Sequence, residues 1–183
     1  MEHSHRNERM SWRDVNRRIA SMQELGQHAI RGHDEANITF HVDHPICVIC
    51  LSDLHIGSWS TDHALLESIT DDIITTPHLY IALLGDLQEM AIKLRSVAEV
   101  TGNLLPPEFQ HQYIESWLDE IAHRVLFSTW GNHEVVREEA QAGSSRLADM
   151  LKRRVIFHDG IGHINLTIGK QVYRIAASHR FRG

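Results

Sequence analysis

The sequence predicts an α/β fold with a parallel sheet at its centre and antiparallel strands towards its end. Short apolar runs typical of buried strands alternate with segments of helical periodicity, as in strand–helix–strand units. Three of these runs are ICVICLS (46–52), LYIALLG (79–85) and VLFSTW (125–130). Three later runs, RVIFH, HINLTIG and QVYRIAA, are separated by glycine turns, which favours antiparallel pairing there.

Apolar periodicity predicts where the helices lie. An apolar face that begins with Trp12, Val15 and Ile19 predicts a helix over 11–30, and the β-like run ITFHV follows at 38–42. The other predicted helices are 62–75, 88–100, 107–125 and 135–152.

The predicted elements suggest an extension followed by one domain. We expect residues 1–35 to form a helical extension, and docking of this helix on the domain of residues 36–183 is the preferred interpretation. Within the domain, a proline opens the helix at 107–125. Its apolar face contains Trp117 and Leu118, so we expect it to be buried.

Composition restricts the classes of function. The chain has 183 residues and a formal net charge of −6, which argues against a sequence-specific DNA-binding protein. A nuclease or phosphatase remains open, because bound metal ions can supply the positive charge that a phosphate needs. No apolar run is long enough to span a bilayer, and the polar segment MEHSHRNERM is unlike a secretory signal. We therefore expect a cytoplasmic protein without a membrane partner, and the sequence leaves its oligomeric state open.

Cys47 and Cys50 have the spacing of a redox or zinc pair, but they lie within a strand-like run. A strand places these two positions on opposite faces, whereas such a pair needs both sulfur atoms on one side. We expect two buried free thiols and no disulfide.

Side chains that bind metals follow four of the strand-like runs. Because the carboxyl ends of strands in α/β sheets converge on one crevice, we expect these side chains to lie together. Their oxygen and imidazole donors suit ions such as Mn²⁺, Fe²⁺, Ni²⁺ or Zn²⁺. Each motif alone has an ordinary explanation as a helix cap or a turn, so the prediction rests on their common order and position. The residues are Asp53, His55, Asp86, Asn132, His133, Glu134 and His179.

The motifs SDLHIG, GDLQE, GNHE and ASHRFRG, in this order, resemble the calcineurin-like metallophosphoesterase superfamily. The family pattern is D-x-H, then GD, then GNH with an acidic residue, then a histidine, and finally G-H-x-H. The resemblance covers about residues 46–183. It implies a sandwich of two mixed β-sheets flanked by helices, with two metal ions that serve the hydrolysis of a phosphomonoester or phosphodiester.

The resemblance also implies a set of metal ligands. Asp53 and His55 would bind the first ion, and Asp86 would bridge both. Asn132 and His179 would bind the second ion. Mn²⁺ is the expected metal, with Fe, Zn and Ni as alternatives. A hydroxide held by the metals would attack phosphorus in line.

The same resemblance gives roles to His133 and Glu134, and the sequence itself offers Arg180 and Arg182 as phosphate contacts or as solvated surface. His133 would be the general acid for the leaving group, and Glu134 would orient its ring. Arg180 and Arg182 could contact the substrate phosphate. The substrate would be a phosphate ester. A nucleotide or nucleic acid is one candidate, but neither the net charge nor the motifs favour it over other esters.

The sequence departs from the family at the last motif, because G-H-x-H does not follow His179. Gly162 and His163 precede that histidine, and Asn165 stands where the second histidine would be. We therefore expect one ligand fewer for each ion, an incomplete second sheet and little turnover by these 183 residues. The chain would be part of a longer enzyme, or another polypeptide would supply the motif. The alternative function is a non-catalytic domain that binds a metal or another protein.

Overall fold

The computed structural model describes residues 11–30, 35–90, 103–139 and 143–180. The chain divides into two units, residues 1–33 and residues 34–183. In chain order the elements are α1 (Trp12–Ile30), β1 (Glu35–Phe40), β2 (Cys47–Leu51), α2 (His63–Thr75), β3 (Leu79–Leu84), α3 (Pro107–Ile121), a 3-10 turn (Ala122–Arg124), β4 (Val125–Thr129), a π-helix (His133–Glu139), α4 (Arg146–Arg154), β5 (Phe157–His158), β6 (Gly162–Ile168) and β7 (Gln171–Ala177).

The predicted central parallel sheet is present in the second unit. Its strand order is β2-β3-β4-β5, and every neighbouring pair is parallel. The pattern of strands and helices predicted this parallel sheet, whereas the resemblance implied that both sheets would be mixed. For this sheet the second expectation is wrong. A helix lies between each pair of successive strands, so each strand returns in the same direction as the previous one. The α/β class is confirmed.

The second sheet is mixed, as expected. Its order is β1-β6-β7, with β1 parallel to β6 and β6 antiparallel to β7. The short turn between β6 and β7 contains Gly169, whose φ is +58°. A two-residue connection requires antiparallel neighbours, which explains the change of direction late in the chain.

The parallel sheet lies between two hydrophobic clusters. Ile81 and Leu83 of β3 belong to a cluster that includes side chains of α2, α3 and α4. Ala82, between them, belongs to a second cluster that includes Ile164 and Leu166 of β6. Because successive strand residues point to opposite faces, the order of layers is helices, parallel sheet and mixed sheet.

Two predicted helices are confirmed close to their expected bounds. Asp62 caps α2, since its carboxylate accepts the amide proton of Leu65 at 3.0 Å. Pro107 occupies the start of α3. Trp117 is buried in α3, as expected, and its indole N–H donates to Thr70 Oγ1 of α2 at 3.0 Å.

The continuous helix predicted over 135–152 is wrong. The described residues there form the π-helix and then α4, which begins at Arg146. Ser145 caps α4 by accepting the amide proton of Ala148, and Gly143 has a φ of +76°. Ser145 is thus a helix start signal and Gly143 a helix break, and the apolar periodicity reveals neither. Of the helix predicted over 88–100, the first three residues are not helical and the rest lie outside the described residues.

The two cysteines are free but exposed, which corrects the expectation of buried thiols. Among the strands that the structure describes, β2 lies at the edge of its sheet and pairs with β3 alone. An edge strand has fewer neighbours on each face, so its apolar sequence does not ensure burial.

The first unit contains α1, which was predicted, and its docking stays a prediction. None of the helices in the described part of the chain combines the length and apolar character needed to cross a bilayer.

Candidate metal centre

The predicted ligands lie just beyond the carboxyl ends of their strands. After β2 and β3 the backbones stay hydrogen-bonded: the Asp53 amide donates to Gly85 O at 3.1 Å, and the His55 amide donates to Asp86 O at 3.0 Å. This continued pairing holds the two segments side by side. The predicted ligands that follow β2, β3, β4 and β7 are Asp53, His55, Asp86, Asn132 and His179.

Two glycines allow the segments after β3 and β4 to touch. Gly85 has a φ of +82°, which glycine adopts at little cost. A Cβ atom on Gly131 would lie 2.1 Å from the Asp86 amide nitrogen and 2.4 Å from Glu134 Oε2. No side chain fits in that space. The glycines of the GD and GNHE motifs are thus needed for packing around Asp86.

Two groups of three potential ligands share Asp86. His55, Asp86 and His133 form one group, and Asp53, Asp86 and His179 form the other. In each group, one ligand atom from each residue lies within 4.8 Å of the others. Asp53 and His55, expected to bind one ion, belong to different groups of three, but His55 Nε2 lies 3.8 Å from Asp53 Oδ1, so their expected pairing stays a prediction. A buried carboxylate common to two ligand groups is compatible with a pair of bound ions.

The surroundings of His179 indicate whether this arrangement suits a cation. Its Nδ1 lies 2.8 Å from Leu84 O, an acceptor, which in a neutral ring favours the tautomer with the proton on Nδ1. Its Nε2 then carries a lone pair, 3.1 Å from Asn132 Oδ1 and 3.3 Å from Asp86 Oδ2. Three lone-pair donors converge at one point. A divalent ion satisfies all of them, so these residues fit a metal.

His133 lies among the ligands, not outside them. Its backbone amide donates to Asp86 Oδ1 at 2.8 Å, and its ring packs edge-on against His55 with centroids 4.4 Å apart. Burial lowers the pKa of the His133 imidazole, although the nearby Asp86 carboxylate opposes this effect. Lowering the pKa favours the neutral ring, which is the form that binds a metal. The position is compatible with a ligand or with a general acid.

Three of these residues adopt left-handed backbone conformations. The φ angles are 56° for Asp53, 45° for His55 and 52° for Asp86. Such angles are uncommon for residues with a Cβ atom and cost on the order of 1–3 kcal/mol each. Their occurrence at three potential ligands, close together in space, is typical of a functional site.

The carboxylate of Glu134 contacts the backbone after β3, where a contact with the His133 ring was expected. Its carboxylate accepts the amide protons of Asp86 at 3.1 Å and Leu87 at 2.8 Å, so both oxygens are engaged by the backbone. Burial raises its pKa to about 7, and the Asp86 carboxylate adds to this shift. Glu134 therefore positions the segment that carries Asp86 and does not contact the His133 ring nitrogens.

Two residues at this centre were not predicted from the sequence. Glu89 Oε2 lies 3.0 Å from His55 Nδ1 and 3.7 Å from His133 Nδ1, and Arg137 forms an ion pair with Glu89 Oε1. The available signal was proximity in sequence. Glu89 is the last residue of GDLQE, and Arg137 lies one helical turn after His133.

The phosphate-binding role of Arg180 and Arg182 stays a prediction. Arg180 is exposed, and Arg182 lies outside the described residues. A cavity of about 250 Å³ opens beside the centre. Asp53 and His55 are on its rim, and Leu54 and Leu66 contribute apolar surface to its lining.

A scan against models of known protein families and a search of curated proteins gave no match to this chain.

Proposed function

We propose that this chain binds two divalent metal ions and catalyses the hydrolysis of a phosphomonoester or phosphodiester. The observation that carries this proposal is the pair of ligand groups that share Asp86. Mixed imidazole and carboxylate donors favour Mn²⁺, with Fe, Zn and Ni as alternatives. The resemblance of the four motifs to metallophosphoesterases supports the same reaction class.

The charge of the ligands supports an anionic substrate. Two bound ions would supply four positive charges, against the two negative charges of Asp53 and Asp86. Asn132 and the histidines add donors without adding negative charge. When bound, such ions polarise a phosphoryl oxygen and lower the pKa of water. The chain's own residues would hold the ester at the centre, with the cavity beside Asp53 and His55 available to its organic group.

The first experiment tests the shared carboxylate. Asp86→Asn should weaken binding of both ions by more than about 100-fold, because loss of a direct ligand exceeds the 10–100-fold effect of outer-shell changes. The matched control is Asp159→Asn, the same change at an exposed position. The readout is Mn²⁺ bound per chain after equilibrium dialysis. Unchanged stoichiometry in the Asp86 variant would overturn the ligand assignment.

The second experiment distinguishes hydrolysis from metal binding alone. The Mn²⁺-loaded chain is assayed with nitrophenyl phosphate and bis-nitrophenyl phosphate, and with the Asp86→Asn variant as the blank. Because G-H-x-H does not follow His179, we expect a low rate, and metal-dependent turnover of either ester, however slow, supports the proposal. Two bound ions without turnover would favour the alternative, a non-catalytic metal-binding or interaction domain. Absence of metal binding would contradict the phosphoesterase and a metal-binding module alike, leaving only protein interaction.

A third experiment assigns His133. If it is a general acid, then in a chain that also carries the G-H-x-H motif His133→Ala lowers turnover by roughly 10²–10⁴ with poor leaving groups. The loss is smaller with nitrophenyl esters, whose leaving oxygen needs no proton. Loss of one ion in this variant would instead make His133 a ligand, as its place beside His55 and Asp86 allows.

A further inference from the structure

Two buried ring nitrogens at the candidate centre lack a hydrogen-bond partner among the described residues. They are His55 Nδ1 and His133 Nδ1. The Nε2 atoms of the two rings face carboxylates of the centre, 3.8 Å from Asp53 Oδ1 and 3.9 Å from Asp86 Oδ2. If Nε2 binds a metal, Nδ1 carries the proton. A buried N–H without an acceptor costs about 1–3 kcal/mol.

One side chain faces both of these nitrogens. Glu89 Oε2 lies 3.0 Å from His55 Nδ1 and 3.7 Å from His133 Nδ1. The side chain of Glu89 is only 14% exposed, so little water competes for its oxygen. A small rotation of either imidazole would convert these contacts into hydrogen bonds. One carboxylate oxygen has lone pairs for both.

Glu89 is held firmly in this position. Its amide donates to Ile56 O at 3.2 Å, and the Ile56 amide donates to Leu87 O at 2.9 Å, which extends the pairing beyond β2 and β3. Arg137 Nη1 donates to Glu89 O at 2.8 Å and also forms an ion pair with Oε1. Arg137 thus occupies one carboxylate oxygen and leaves the other directed at the histidines.

We propose that Glu89 is a positioning residue that accepts the Nδ1 protons of His55 and His133 and so directs both Nε2 lone pairs towards the metals. A single carboxylate fixes the tautomers of two rings in different motifs, and Arg137 fixes the carboxylate. Acceptors of this kind orient ligating histidines and increase their basicity. The inference rests on the proposed function only in naming the two rings as metal ligands.

The test reads the tautomers directly. In ¹⁵N-labelled, metal-free protein at a pH at which the imidazoles are neutral, we expect both rings to carry the proton on Nδ1. Glu89→Leu removes the acceptor, and both rings should become mixtures of tautomers. Glu89→Gln keeps an amide oxygen and should largely restore the Nδ1–H form. Assignments come from His55→Gln and His133→Gln spectra.

Metal affinity supplies the second readout. Glu89→Leu should weaken Mn²⁺ binding about 10–100-fold, the usual effect of losing such a partner. Glu89→Gln should weaken it less, and Arg137→Met should give an intermediate loss. Glu67→Leu is the matched control at an exposed helical position and should change neither readout.

The outcomes separate this inference from the proposed function. Nε2–H tautomers in the wild-type protein, or tautomers unchanged by Glu89→Leu, would overturn the role of Glu89 whether or not metal binds. Nδ1–H tautomers that depend on Glu89, in a protein that binds no metal, would retain that role and refute the metal centre. If Glu89→Leu does not fold, the tautomers of Glu89→Gln and Arg137→Met decide whether Glu89 has this role. If Arg137→Met keeps the tautomers and the metal affinity of the wild-type protein, the role of the ion pair is overturned.

Discussion

The contact between Gly131 and the Asp86 segment predicts a large effect from one added methyl group. In Gly131→Ala, the new Cβ would overlap the Asp86 amide nitrogen and Glu134 Oε2, at 2.1 and 2.4 Å. Overpacking costs about 1–3 kcal/mol. Displacing the Glu134 carboxylate also removes the acceptor of a buried amide, which costs about another 1–3 kcal/mol. We therefore expect Gly131→Ala to lower the free energy of unfolding by about 2–6 kcal/mol.

The matched control is Gly160→Ala. A Cβ at Gly160 would meet no atom within 4 Å, so the same chemical change should alter stability by less than about 1 kcal/mol. Both variants are compared by urea unfolding in the presence of a chelator, which removes any contribution from metal. Equal midpoints for Gly131→Ala and Gly160→Ala would refute the close approach of the two segments, and with it the construction of the centre around Asp86.

Three further results are expected. Glu134→Gln replaces one of two acceptor oxygens with an amide that faces a backbone N–H, so it should lower the free energy of unfolding by about 1–3 kcal/mol, measured by urea denaturation. Trp117→Phe removes the indole hydrogen bond to Thr70 and should cost about 1–2 kcal/mol, whereas Trp59→Phe, at a side chain 68% exposed, should be close to neutral. Both cysteines of β2 should react with a thiol reagent in the native protein, and protection of either until unfolding would contradict their exposure.

The strands and three of the helices, α1, α2 and α3, could be predicted because their signals are local. Buried strands of this kind are short apolar runs, and α2 and α3 have start signals at Asp62 and Pro107. The juxtaposition of Asp53, Asp86 and His179 could also be anticipated, because it follows from the rule that strand ends converge. These predictions need no knowledge of which side chain contacts which.

The errors concern properties that only tertiary structure decides. The cysteines look buried because β2 is apolar, but exposure depends on its place at the sheet edge. Glu134 was assigned to the His133 ring because the two are adjacent, yet its oxygens reach the backbone after β3. Glu89 was overlooked because a glutamate in a polar segment is usually a surface residue.

At Asp53, His55 and Asp86 the left-handed backbone conformation favours glycine, whereas metal binding requires the side chain. Glycine at any of the three would relieve on the order of 1–3 kcal/mol of backbone strain and remove a potential ligand. A library of variants screened only for resistance to heat should therefore enrich glycine or asparagine at these positions. The same library screened for retained metal should keep the parental residues. Agreement of the two screens elsewhere, and disagreement here, would map the centre without any knowledge of the substrate.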